Sequence, residues 1–139
     1  MAVRWTKDLA VGNSEIDGQH QELFAAVDAI VTAVTQGRGR EEIARTIKLL
    51  EAYTAFHFSA EERLMAHIRY PGIELQRREH AQFVRDLAEW KHQYESEGPP
   101  EGFDLIAHLE HRLVAWLRTH VAVTDHALGE FLASRRQAQ

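Results

Sequence analysis

Residues 57–80 read HFSAEERLMAHIRYPGIELQRREH, and two four-residue spacings within them, His57 to Glu61 and Gln76 to His80, decide how the whole chain is read. Four residues along an α-helix turn about 40° past a full revolution, so the two members of each pair stand one above the other on one face. Tyr70-Pro71-Gly72 lies between the pairs, and a proline there cannot continue a helix. The stretch therefore predicts two helices joined by a tight turn, each carrying metal-ligating residue types on one face. Imidazole and carboxylate borne this way are how helical bundles reach a shared pair of metal ions. His20 upstream, and His120 with Asp125 downstream, are the natural partners.

Working outward, the helix that carries His57 and Glu61 extends from about residue 40 to 66, with Ile43, Ile47, Leu50, Tyr53, Thr54, Leu64 and Ile68 on its inner side. The helix that carries Gln76 and His80 runs from about 73 to 95, with Phe83, Leu87, Trp90 and Tyr94 continuing the stripe, until Gly98-Pro99-Pro100-Glu101-Gly102 breaks it. Before them, Ser14 or Asp17 is placed to cap a helix whose positions His20, Leu23, Phe24, Val27, Ile30, Val31 and Val34 recur at helical spacing up to Gly37. After them, a fourth helix begins near Phe103 and shows Ile106, Leu109, Leu113, Trp116, Leu117 and His120. A shorter segment from Asp125 to about Ser134, which Asp125 can cap, follows it. Residues 1–13 lack periodicity but carry Trp5, Leu9 and Val11, which predicts an arm laid across the domain with its aromatic buried. Connections this short force neighbouring helices antiparallel. The expected fold is all-α: an up-down-up-down four-helix bundle with an N-terminal arm and a short C-terminal helix, one domain over 1–139.

The candidate ligands also agree in level. At about 1.5 Å per residue, His20 and His57 each lie about 25 Å from the turn that joins their helices, and His80 and His120 lie about 25 Å from theirs. Each helix thus delivers a polar residue to one layer near an end of the bundle. Taken singly, each of these histidines reads as a hydrogen-bonded core residue. Taken together with Glu61 and Asp125 they read as a metal site, because buried imidazoles and carboxylates are costly unless paired or metal-bound. The donor set contains no thiolate, which suits iron, manganese or zinc, and the two carboxylates suggest bridging between two ions.

Composition narrows the function further. The chain has 139 residues, is 45% hydrophobic and 27% charged, and carries a formal charge of −5 with no basic block, which argues against nucleic acid as a partner. It has no cysteine, so disulfides, thiolate sites and cysteine nucleophiles are excluded. The N-terminus has no apolar signal core and no run is long enough to span a membrane, so the expectation is a cytoplasmic protein without a membrane partner. Nine histidines are the one compositional hint of metal chemistry. Of these, His67, His92, His108, His111 and His126 fall off the layer and are expected at the surface, as are Glu62 and Arg63.

The order His20, then His57-Phe58-Ser59-Ala60-Glu61, then His80, then His120 to Asp125 resembles the hemerythrin and bacteriohemerythrin family. Trp5, Gly12, Ile16-Asp17, the run Glu61 to Met65, Tyr70-Pro71-Gly72, Phe83, Trp116-Leu117 and Gly129 agree with it over nearly the whole chain. The resemblance implies two non-haem iron ions, His20 and His57 on one, His80 and His120 on the other, bridged by Glu61, Asp125 and an oxo or hydroxo group. It also implies that O2 binds at an open position on the first iron and is held there as hydroperoxide, with another small diatomic or peroxide as the alternative partner in its place. Phe58, Trp116, Leu117 and Val121 would wall that pocket. The departure is Gln76, which stands where the family's pattern has a third histidine on the second iron. Three readings follow: Gln76 coordinates weakly, water takes the position, or the second metal is lost or different. Carriage, storage or sensing of O2 is the leading expectation, and a di-iron enzyme with peroxidase, oxidase or nitric oxide activity, opened up by Gln76, is the alternative. Oligomeric state is not legible.

Overall fold

The computed structural model describes residues 3–95 and 105–137, and the segment containing Gly98 to Phe103 lies outside the described residues. An arm with one 3₁₀ turn, Lys7–Leu9, leads into α1 (Ser14–Thr35), α2 (Arg40–His67) and α3 (Ile73–Glu95). The fourth rod is α4 (Leu105–His108), α5 (Ala115–Thr119) and α6 (His126–Gln137), joined by π-helical turns at Leu109–Val114 and His120–Asp125. No strand occurs among the described residues. The helices α1 and α2 pack together, α2 packs on α3, and both α1 and α3 pack on the fourth rod, giving the four-helix bundle. None of the described helices is long and apolar enough to cross a membrane.

The ends of the helices follow from local chemistry. Asn13, and not Ser14 or Asp17, caps α1: its side-chain oxygen accepts from the Ile16 N–H at 3.0 Å. Asp17 is inside the helix and reaches back instead, accepting from the Val11 N–H at 2.8 Å and so pinning the arm. The α1–α2 turn is a Schellman motif, with Arg38 N–H bonded to the Ala33 carbonyl and Gly37 N–H to that of Val34, and Gly37 supplies the left-handed φ of +65°. The α2–α3 turn repeats the motif through Tyr70 to Met65 and Arg69 to Ala66, with Tyr70 packed near Met65, but here the left-handed position, φ +56°, is held by Arg69.

The fourth rod differs from the sequence reading at one point. The short C-terminal helix is present as α6, but Asp125, expected as its cap, is not one, because the backbone stays helical through the π turn, from Thr119 at φ −66°, ψ −44° to His126 at φ −61°, ψ −41°. Asp125 therefore has no cap to make and its side chain is free to face inward.

Two apolar clusters fill the bundle, and the polar layer separates them. The larger runs from Leu23, Phe24 and Val27 through Leu50, Phe58, Phe83 and Trp90 to Leu113, Leu117 and Val121. The smaller, Val11, Ile16, Met65 and Leu128, closes the nearer end. The arm seals the structure: Val3 is buried with its N–H on Asp28 at 2.9 Å, and Trp5 is half-buried against the larger cluster. Gly129 lets the arm lie on α6, since a Cβ there would meet the Val11 carbonyl at 2.0 Å.

Arg69 is exposed and spends its backbone in a region that costs an L-residue about 1–2 kcal/mol, partly offset in glycine by its greater freedom when unfolded. Arg69→Gly is therefore expected to raise stability by about 0.5–1 kcal/mol in urea unfolding. A lower midpoint would contradict the strain at this turn.

Candidate metal centre

Each helix contributes to one buried layer: His20 from α1, His57 and Glu61 from α2, Gln76 and His80 from α3, and His120 and Asp125 from the fourth rod, all seven no more than 3% exposed. The i,i+4 spacing does for Glu61 what it was expected to do, with His57 Nε2 2.5 Å from Glu61 Oε1. His120 and Asp125 need a different device. Residues five apart on a regular α-helix point about 140° from one another, whereas a π turn, bonded i to i+5, sets the fifth residue nearly over the first. The π turn His120–Asp125 brings His120 Nε2 to 3.3 Å from Asp125 Oδ1.

The two carboxylates divide their oxygens between two pairs of imidazoles. Glu61 turns Oε1 to His57 and to His20 Nε2 at 3.3 Å, and Oε2 to His80 Nε2 at 3.7 Å. Asp125 turns Oδ2 to His20 Nε2 at 2.8 Å and Oδ1 to His120. The rings pair correspondingly, edge to face, with centroids 5.0 Å apart for His20 and His57 and 5.1 Å for His80 and His120. Two groups of four donors result, His20, His57, Glu61, Asp125 and Glu61, His80, His120, Asp125, each with its ligand atoms within 4.8 Å of one another and both sharing the two carboxylates.

These donors fit a pair of cations and fit hydrogen bonding poorly. His80 Nε2, His120 Nε2 and Glu61 Oε2 are buried and make no hydrogen bond, and His57 Nε2 and Asp125 Oδ2 are buried with only the ion-pair contacts to Glu61 and His20 given above. An orphaned buried polar atom costs about 1–3 kcal/mol, and native proteins leave few of them. Three such atoms in one layer, beside ion pairs crowded onto two shared carboxylates, fit a site that metal would complete. The outer nitrogens support this. His57 Nδ1 bonds Gln19 Oε1 at 2.7 Å, His80 Nδ1 bonds Glu62 Oε2 at 3.1 Å, and His120 Nδ1 bonds Glu79 Oε1 at 3.0 Å. Each such bond fixes the proton on Nδ1 and leaves Nε2 as a lone-pair donor. Glu79 is itself held by the Thr124 hydroxyl at 2.8 Å. His20 Nδ1 has no such partner.

The sequence reading missed these orienting groups, and assigned Glu62 to a solvated face. The signal was adjacency: Gln19, Glu62 and Glu79 each flank a layer residue by one position, which points them away from their own helix's ligand and toward the histidine of the next helix. Glu79 bonds the outer nitrogen of His120 and does not face the layer. Gln76 is buried, but its amide nitrogen, not its oxygen, is turned to Asp125 Oδ1, at 2.9 Å. Phe58 stacks flat on His80 at 3.9 Å and Trp116 on His120 at 4.5 Å, while Leu117 and Val121 are buried beside them. The walls thus lean on the His80–His120 pair. Trp116 is half-buried, at the edge of a cleft of about 320 Å³ that reaches His120. Of the histidines expected at the surface, His67, His92, His111 and His126 are exposed and His108 is half-buried.

A helical bundle with a layer of four imidazoles and two shared carboxylates defines the class: metal-binding four-helix bundles. The chain belongs to the hemerythrin family, since the model of the hemerythrin HHE cation binding domain matches residues 11–132. It is similar to the bacteriohemerythrin of Stenotrophomonas maltophilia, 29% identical over 126 residues that cover 91% of this chain and 78% of that one. It is likewise similar to that of Pseudomonas paraeruginosa, 30% identical over 121 residues covering 87% and 75%. The bacteriohemerythrin of Aquifex aeolicus is 23% identical over 135 residues, 95% of this chain and 98% of that one.

Protons compete with metal for this layer. Burial pushes the His20 imidazolium down, but Asp125 and Glu61 outweigh it and hold its pKa up at about 9. The same opposition, with Asp125 and Glu79 prominent, raises His120 to about 10. Burial pushes Asp125 up, and His120 and His20 more than reverse it, leaving the carboxyl well below its ordinary value. His80 is lowered, chiefly by burial. A histidine raised in the folded state stabilises fully below its unfolded pKa, near 6.5, and loses that contribution as pH rises through the folded value. The chelator-treated protein should therefore lose thermal stability between about pH 6.5 and 10. The metal-loaded protein, whose histidines must be neutral, should gain on it across the same window. Melting curves with and without chelator check this; parallel profiles would contradict it.

Glu79→Gln keeps the size of the side chain but removes the charge that orients His120. It is expected to weaken metal binding about 10–100-fold, measured by competition with a chromophoric chelator, with little change in helix content. An unchanged affinity would show that Glu79 is only a surface partner.

Proposed function

We propose that the chain binds two non-haem iron ions and uses them to bind O2. His20 and His57 hold one ion, His80 and His120 the other, and Glu61 and Asp125 span the two. The observation that carries this is the division of both carboxylates between the two imidazole pairs, which offers each ion two nitrogens and two oxygens. Imidazole and carboxylate without thiolate are the donors that iron takes in bundles of this kind, and family membership supports the same metal.

When bound, the two ions supply one electron each to O2. The protein's part is to keep the site dry and the charge balanced. Phe58, Leu117 and Val121 are no more than 5% exposed, and together with Trp116 they cover the His80–His120 pair with apolar surface that excludes water and stray protons. The carboxylates offset two of the positive charges, and the Nδ1 bonds of His57, His80 and His120 hold the rings in place as that charge changes. No acid–base side chain is needed for reversible binding.

A di-iron enzyme with peroxidase, oxidase or nitric oxide activity is the second reading, favoured by Gln76, which turns its nitrogen to Asp125 and leaves the site one donor short of the family's pattern. One experiment separates them. Anaerobically reconstituted protein should hold two irons per chain, and Glu61→Ala about one or none. O2 added to the diferrous form should come off unchanged under vacuum if the chain is a carrier, store or sensor. Consumption of O2 with turnover of a reductant favours the enzyme, and failure to bind iron at the layer refutes both.

A further inference from the structure

Gln76 is fully buried, and the hydrogen bonds around it fix which way its amide faces. Its Nε2 donates to Asp125 Oδ1 at 2.9 Å and to the Thr124 carbonyl at 3.4 Å. Both neighbours are acceptors only, so an oxygen in that place would meet a carboxylate and a carbonyl, each repelling it. The amide nitrogen, in turn, has no lone pair to give a metal, and its two hydrogens are committed. At the other end of the same group, Oε1 is buried and accepts no hydrogen bond. A buried primary amide with a satisfied donor end and an empty acceptor end is waiting for one more donor, and none is offered by the protein.

The donor count points the same way. Without Gln76 the two groups are equivalent, two imidazoles and two shared carboxylates each. An octahedral cation needs six donors, so even with one bridging hydroxide or oxide, a position remains on each ion. This step rests on the dinuclear reading above. We propose that Gln76 is not a metal ligand: it clamps Asp125 through Nε2, and it leaves on the His80–His120 ion an open position for a small ligand bearing an O–H group, such as water or hydroxide, whose proton Oε1 accepts. Both ions then exchange ligands. The aromatic cover of Phe58 and Trp116, which lies over this pair, becomes the selectivity filter that keeps such ligands small.

Two measurements on metal-loaded protein test this, neither of them an activity. In the protein loaded with two zinc ions and labelled at glutamine, both Gln76 side-chain amide hydrogens should stay protected from exchange, because Nε2 keeps its bonds to Asp125 and Thr124. In the protein loaded with two manganese(II) ions, Gln76→His should fill the open position and lower the inner-sphere water-proton relaxation about twofold, from two exchanging positions to one. Loss of that protection on loading, or equal relaxation in both proteins, overturns the proposal and leaves the dinuclear site standing. Uptake of fewer than two ions by both proteins overturns the dinuclear reading, and this inference with it.

Discussion

Everything in this bundle is arranged so that two carboxylates, Glu61 and Asp125, stand between four imidazoles in an apolar interior. Such a layer is expensive. Each carboxylate would be several kcal/mol worse off than in water if it were left unpaired, and the imidazoles forfeit hydration as well. The chain meets this cost by making each carboxylate serve both histidine pairs, so that four oxygens neutralise a site that two ions would complete. The helices on either side are ordinary by comparison: stripes of Leu, Ile, Val and Phe that fill the volume and set the distance at which the layer closes.

The outer partners show how the fold holds the layer rather than merely containing it. Gln19 on α1 bonds His57 on α2, Glu62 on α2 bonds His80 on α3, and Glu79 on α3 bonds His120 on the fourth rod. Each helix thereby orients the layer histidine of the next, so that interhelical packing sets the direction of the imidazoles. The series does not return to α1, where His20 Nδ1 has no partner. His20 is positioned through its Nε2 contacts with Asp125 and Glu61 and by its edge-to-face packing on His57.

Much of this was legible in the sequence because two helical regularities carry it. The apolar stripes gave four helices, and the rise per residue put His20, His57, His80 and His120 at a common depth without any coordinates. What failed did so for physical reasons. A five-residue spacing between His120 and Asp125 has no meaning on a regular α-helix, so the π turn, and with it the continuity of the fourth rod into α6, could not be read from 3.6-residue periodicity. Asn13 caps α1 where Ser14 or Asp17 was the expectation, because several adjacent residues can all cap and only the backbone chooses. Glu62 looked like a solvent-facing charge because its partner, His80, sits on another helix. The identity of Gln76 was plain, but the direction of its amide depends on Asp125 and Thr124, nearly fifty residues away.

The proposed dinuclear site requires that Glu61 and Asp125 each bridge two cations. Anomalous diffraction at the iron edge from anaerobically reconstituted crystals tests it directly. The expected result is two peaks in the layer, about 3.5–4 Å apart, one flanked by His20 and His57 and the other by His80 and His120, with an oxygen of each carboxylate on both. A single peak, or iron only at surface histidines with the layer closed on its own hydrogen bonds, would contradict it.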